Sequence, residues 1–166
     1  MATSHLKENF KKSFSLENLR EVSVIFPGAS GQTGIETASQ IRALIKSEKP
    51  GALIVIDALS ASSPERLGKN IQITDAGISP GSGVGNKREE ISLETMGIPC
   101  MAIGVPTVAS AFTICGKSKS KALYDAMLLT PKDIDIIIKR GSEVLSQALN
   151  HALQENIDRD ILKMLI

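Results

Sequence analysis

The chain has 166 residues, of which 42% are hydrophobic and 22% charged, and its formal net charge is +1. This is the profile of one soluble globular domain, residues 1–166, and it argues against an electrostatic footprint for nucleic acid or a membrane surface. Aromatic residues are scarce, with one Tyr, four Phe and no Trp, so Ile, Leu, Val and Ala must build the core.

No apolar run approaches the ~20 residues that span a bilayer. Met1-Ala-Thr-Ser-His5 turns charged without an apolar stretch, so it does not read as a signal peptide. Cys100 and Cys115 read as reduced, intracellular thiols acting as small buried hydrophobes. The two histidines, His5 and His151, lie near the chain ends, away from any cysteine that would need a partner.

Residues 1–20 are polar and read as a broken helix or loop. Val22 to Phe26 is β-branched, stops at Pro27-Gly28, and reads as a strand. Thr33 then opens a helix, with Glu36 at capping-box spacing and an apolar stripe of Ile35, Ala38, Ile41 and Ile45. Lys49-Pro50-Gly51 ends it. Ala52 to Ile56 is a continuous apolar run, as expected of a strand buried on both faces, and it stops at Asp57. Ser63-Pro64 resembles a cap followed by proline at the first helical position. Ile71 to Thr74 is a short strand, and residues 75–90 form a glycine-rich loop.

Glu94 to Gly97 closes a turn, and Cys100 to Val105 is another buried strand, bounded by Pro99 and Pro106. Val108 to Cys115 has helical character, and the Lys-rich stretch after Gly116 reads as an exposed linker. Thr130-Pro-Lys-Asp133 starts a long helix with Ile134, Ile137, Ile138, Leu145, Ala148, Leu149 and Ala152 on one side; Gly141 interrupts it at a cost of about 1 kcal/mol. Strands alternating with helices imply an α/β sheet, mostly parallel, with helices on both faces. Only three strands are convincing, fewer than such a sheet usually has, which points to missing N-terminal sequence or a partner that completes the sheet.

Ligands of open α/β sheets bind beyond the carboxyl ends of the strands. Asp57 falls there, and a carboxylate at the end of an apolar run is partly withdrawn from water, which suits acid–base work; it could equally cap a loop or the next helix. The loop Asp75-Ala-Gly-Ile-Ser-Pro-Gly-Ser-Gly-Val-Gly-Asn-Lys-Arg88 has a backbone free to approach a ligand, with Lys87 and Arg88 as donors. It is not a phosphate cradle, because Gly85-Asn86-Lys87-Arg88 lacks the Gly-Lys-Ser/Thr order. Asp75-Ala-Gly77 is similar to the Asp-Thr/Ser-Gly of pepsin-like proteases, but that motif belongs to all-β folds. With no His near Asp57 or Asp75, neither a metal nor another cofactor is expected.

Several long motifs resemble those of the spore germination protease family: Thr33-Gly-Ile-Glu-Thr37, Ile56-Asp-Ala-Leu59, Ile71-Gln-Ile-Thr-Asp-Ala-Gly-Ile78, Pro80-Gly-Ser-Gly-Val-Gly-Asn-Lys-Arg88, Gly97-Ile-Pro99, Ala102-Ile-Gly-Val-Pro-Thr-Val108 and Thr130-Pro-Lys-Asp-Ile-Asp135. The likeness runs in the family's order from about residue 2 to about residue 155. It implies an endopeptidase that begins the breakdown of small acid-soluble spore proteins during germination, made as a zymogen, assembled as a homo-oligomer and located in the spore core cytoplasm. It also implies a three-layer α/β/α sandwich like that of the hydrogenase maturation proteases.

The family is considered an unusual aspartic protease with two aspartates. One lies in an Ile-Asp-Ala-Leu motif and maps onto Asp57. The other lies upstream, in a Thr-Pro-Asp-Ala-Leu-Gly-Pro motif that this chain does not contain. The second carboxylate is therefore expected from Asp75, from another copy, or from a separate fragment. Asn86, Lys87 and Arg88 are expected to bind carboxylates of an acid-rich substrate. The chain departs from the family at Ser62, often Arg, at Ser110, often an acid, and in a shorter stretch between Cys115 and Thr130. The competing expectation is an inactive fragment or paralogue that only binds or oligomerises, since an exposed sheet edge seeks a partner.

Overall fold

A computed structural model of the chain describes residue 12, residues 19–28, 33–82, 88–115, residue 124 and residues 127–154. The chain divides into two compact units, Met1–Phe26 with Ile138–Ile166, and Pro27–Ile137.

The second unit is mixed α/β. Helix α1 spans Thr37–Glu48 and buries Ala38 and Ile41. It ends where Lys49 turns left-handed (φ 51°) and donates its N–H to the Ile45 carbonyl at 2.9 Å. The helix starts later than its capping-box spacing suggests. Gly34 has φ +69° and Glu36 is extended, so the turn between Thr33 and Glu36 is not helical and the box does not form. Glu36 pairs with Arg88 instead.

Strand β1 spans Leu53–Ser60 and β3 spans Cys100–Ser110, with β2 between them in sequence at Gln72–Thr74 and β4 at Leu128–Leu129. β3 is the hub, flanked by β1 and β2, with β4 pairing near its end. The β1–β3 ladder is parallel, from Leu53 opposite Cys100 to Leu59 opposite Pro106. β2 and β4 both run antiparallel to β3. The sheet thus differs from the mostly parallel one expected. Its long central pair is parallel, but the short β2 returns alongside β3 directly after the 3-10 turn Pro64–Arg66, with no helical crossover to reverse it.

β1 does not stop at Asp57 but runs three residues further. β3 likewise continues through Pro106 to Ser110. A proline has no N–H for the ladder, and here it stands where the register shifts between Leu59 and Ser60, so no pairing is spoiled. The odd-numbered face of β1 is covered: Leu53 and Val55 pack against a cluster of Ala38, Ile41, Ile91, Met96 and Cys100, with Ile45, Ile78 and Ile98 around it. Each such aliphatic contributes about 1.5–3 kcal/mol on full burial. The even face is not buried as expected, since Ile56 remains 53% exposed. Helix α2, Leu93–Met96, closes this core and ends at left-handed Gly97. Helix α3, Ala111–Cys115, follows β3 directly; it is shorter than the helical character from Val108 suggested because β3 takes the residues up to Ser110.

Helix α4, Ile134–Leu153, begins after a turn in which Ile137 donates to the Asp133 carbonyl at 3.1 Å. Its half-buried stripe follows Ile134, Ile137, Gly141, Leu145 and Leu149, whereas Ile138, Ala148 and Ala152 face outward. In the first unit, buried Gln154 grips the backbone of Arg20. It accepts the Arg20 N–H and donates Nε2 to the Arg20 carbonyl, both at 2.9 Å. Val22–Phe26 is not in a strand: residues 22–26 stand in none of the described pairings, and Phe26 is 92% exposed.

Candidate functional site

Asp57 sits within β1, opposite Gly104 of β3, which in turn stands opposite Gln72 of β2. Its Oδ1 accepts the Ala58 N–H at 2.9 Å. Residues paired across a ladder share a face, so Asp57, Gly104 and Gln72 form one row on the core side of the sheet. Leu59, on the same face, folds across the row. A Cβ on Gly104 would lie 2.3 Å from Leu59 Cδ1 and 2.4 Å from its Cγ, so glycine is what lets Leu59 lie there.

Beside this row is a cleft of about 180 Å³, lined by residues 57–60 of β1 and by Ile78, Ser79, Gly81 and Ser82 of the glycine-rich loop. The loop side is a tight turn. Ser82 donates its N–H to the Ser79 carbonyl at 3.1 Å, with Pro80 and then Gly81 (φ +73°) between them. Proline second and a positive-φ glycine third are what a type II turn demands. The root of the loop is fixed by a two-bond bridge, Ile78 N–H to Ile91 O at 3.0 Å and Ile91 N–H to Ile78 O at 2.7 Å. Gly77 (φ +95°) makes that closure possible, because a Cβ there would lie 2.6 Å from Ser92 Cβ and 2.9 Å from the Ile91 carbonyl.

The far end of the loop is tied by two ion pairs to α1 and to the residue that precedes it. Arg88 donates to Glu36 at 3.1 Å, and Arg42 pairs with Glu89 through both of its terminal nitrogens. The hydrogen bond from Arg42 holds the Glu89 carboxyl below the usual carboxylate range, and Glu89 raises the guanidinium in return.

The residues singled out in the sequence are thus distributed. Asp57 lines the cleft. Asp75 is exposed and follows β2, which runs back toward the amino end of the parallel pair. The register sets it three residues below the Asp57 row and two strands across. At about 3.3 Å per residue and 4.8 Å per strand, this offset corresponds to about 14 Å between the two backbones, and Asp75 is not among the residues that line the cleft. Arg88 is committed to Glu36, and Asn86 and Lys87 lie outside the described residues. Leu59, Ser60, Ser79 and Ser82 were not singled out; the Ser-Pro-Gly-Ser turn signature was the available signal for the last two. Ser110 caps α3 by accepting the Thr113 N–H at 3.1 Å. Burial, with a contribution from Glu94, pushes the Cys100 thiol up. Among the described residues no group of three His, Cys, Asp or Glu side chains could hold a metal ion, and no helix is long and apolar enough to cross a membrane.

The fold and cleft define an α/β protein with a carboxylate facing a small loop-walled pocket. Comparison with known proteins is specific: the germination protease family profile matches residues 1–120. A germination protease of Caldanaerobacter subterraneus subsp. tengcongensis is 36% identical, with 100% of this chain and 62% of that protein covered. One from a Geobacillus species is 36% identical over 87% of this chain and 57% of its own, and one from Clostridium acetobutylicum is 34% identical over 95% and 59%. The chain belongs to the germination protease family. It spans about three fifths of the length of these curated relatives.

Proposed function

We propose that this chain is the Asp57-bearing part of an endopeptidase that opens the degradation of small acid-soluble spore proteins in the spore core. The observation that carries the reading is Asp57 itself, a strand-borne carboxylate lining a cleft large enough for part of a peptide. The mechanism is of aspartic type. One carboxylate takes a proton from water as its oxygen attacks the peptide carbonyl; the other, protonated, donates toward that carbonyl, and the amine leaves with a proton as the C–N bond breaks. The distance to Asp75 argues for a second carboxylate from another copy or from sequence beyond this chain. Synthesis as a zymogen and assembly as a homo-oligomer are part of the same proposal. So is the three-layer α/β/α sandwich, with the β1–β3 pair near its centre. Arg88 supports the loop in this reading through Glu36, while Lys87 and Asn86 are left to meet acidic substrate groups.

A second reading, a binding or oligomerisation module without activity of its own, is favoured by the remoteness of Asp75. One experiment separates the two: purified small acid-soluble spore protein is incubated with this chain and the products are read by intact mass. Discrete cuts that Asp57→Asn reduces at least about a hundredfold support the protease. Cuts unchanged in Asp57→Asn overturn the role of Asp57, and no cuts at all favour the binding module.

A further inference from the structure

β2 lies at a free side of the sheet. It pairs with β3 along one side, and among the described strands nothing pairs with its other side. A free strand edge is a row of backbone donors and acceptors that another strand can use. The residues around this edge specify which strand. Lys69-Asn-Ile-Gln-Ile-Thr-Asp75 is self-complementary about Gln72: a cation and an anion at the ends, Asn and Thr inside them, and an isoleucine on each side of the centre. Lys69, Thr74 and Asp75 are exposed, as are Ile71 at 39% and Ile73 at 65%. Ile73 stands opposite Ile103 of β3, which stands opposite Ile56 of β1, so these side chains belong to the sheet face turned away from the core cluster. By contrast β1, Leu53–Ser60, carries a single charge, Asp57, and has no such pattern.

We propose that the outer edge of β2 pairs antiparallel with the same edge of a second copy of this chain, with Gln72 opposite Gln72 on the two-fold axis. In that register Lys69 faces Asp75 of the second copy, and by symmetry the contact occurs twice. Ile71 faces Ile73 twice, and Asn70 faces Thr74 twice. Opposite charges and aliphatic pairs directly across a ladder are stabilising, and like charges there are destabilising. A parallel pairing in register would set lysine on lysine and aspartate on aspartate. Backbone groups along an antiparallel strand turn outward at alternate residues, either at 71 and 73 or at 70, 72 and 74, and a register centred on residue 72 matches either set with itself. The union joins the exposed isoleucines of two sheets into one continuous apolar face. It gives the proposed homo-oligomer a surface and a register, and it stands apart from the cleavage reading: that reading fails in the assay of products, this one in the state of association.

The test is sedimentation equilibrium of the full chain and three charge variants. Lys69→Asp or Asp75→Lys alone places two like-charge pairs in the interface and should weaken the dimer at least about tenfold. The double variant, Lys69→Asp with Asp75→Lys, restores both pairs with their signs exchanged and should return the dimer to within a fewfold of the original. Register is read by cross-linking in a Cys115→Ser background, which removes the exposed native thiol. Directly opposite residues have Cα atoms about 4.5–5.5 Å apart, within disulfide reach, so Gln72→Cys should join two copies under mild oxidation. Thr74→Cys should not, because residue 74 lies four positions, about 13 Å, from its own counterpart. A monomer at every concentration, a dimer indifferent to the single reversals, or a double variant no better than the singles overturns the proposal. So does a dimer that joins through residue 74 and not through residue 72, or an edge that takes up an added extended peptide while the chain itself stays monomeric.

Discussion

At the scale of single residues, two glycines decide the shape of the site by what they lack. Gly104 admits Leu59 to the row beside Asp57, and Gly77 admits the loop root to the backbone of Ile91 and Ser92. Gly77 adds a second constraint, since its φ of +95° is strained for any L side chain. Gly77→Ala should therefore cost at least about 2 kcal/mol in urea denaturation, from the strain and the overpacking together. Gly51→Ala is the control, because nothing lies within 4 Å of a Cβ there and its φ is not positive; its effect should stay below about 1 kcal/mol. Equal midpoints for the two variants would show that the loop root yields. Asp57 was legible in the sequence because an apolar run leading into a carboxylate is a local pattern. Leu59 was not, since its importance comes from a residue far along the chain that happens to stand beside it.

At the scale of elements, α4 carries a weakness that the sequence already marks. Gly141 lies on its half-buried stripe, and an added Cβ would meet nothing within 4 Å. Gly141→Ala should raise stability by about 0.5–1 kcal/mol, read as a higher midpoint in thermal unfolding. A lower midpoint would mean that the helix is packed more tightly than this. Helical periodicity identified α1 and α4, and continuous apolar runs identified β1 and β3, because both signals are local. Their limits were less legible. Thr33 and Glu36 have the spacing of a capping box, yet Gly34 turns the chain and Arg88 claims the glutamate. Pro106 looks like a strand end, yet the partner strand shifts register there and the ladder survives it. Val22–Phe26 has strand composition, yet residues 22–26 stand in none of the described pairings.

At the scale of the whole molecule, the sheet is open. β1 pairs along one side with β3, and among the described strands nothing pairs with its other side. Ile56 on β1 is 53% exposed, and in the other unit Val24 is 53% exposed and Ile25 42%. An uncovered strand with apolar side chains is a template for association. Light scattering of the purified chain is therefore expected to give a dimer or larger assembly at micromolar concentration, and a monomer at all concentrations would count against a partner on this edge. The α/β class and the family were both readable from the sequence, whereas the mixed direction of the sheet was not, because β2 is three residues long and its orientation depends on where the chain happens to turn.

The position of β3 also governs when the sheet can come into being. β1, β2 and β4 each bond to β3 and none of the described pairings joins them to one another. Leu53 waits for Cys100, about fifty residues downstream. At ribosomal rates of about 5–20 residues per second, β1 is made roughly 3–10 seconds before its partner exists. During that interval Leu53-Ile-Val-Ile56 is an unpaired apolar segment on a nascent chain, the kind of stretch that chaperones bind. β3 then gathers β1 and β2 together, with β4 added only once residues 128–129 follow, so a lesion that delays β3 delays the entire sheet, and the yield of folded protein should depend on translation speed through residues 100–110.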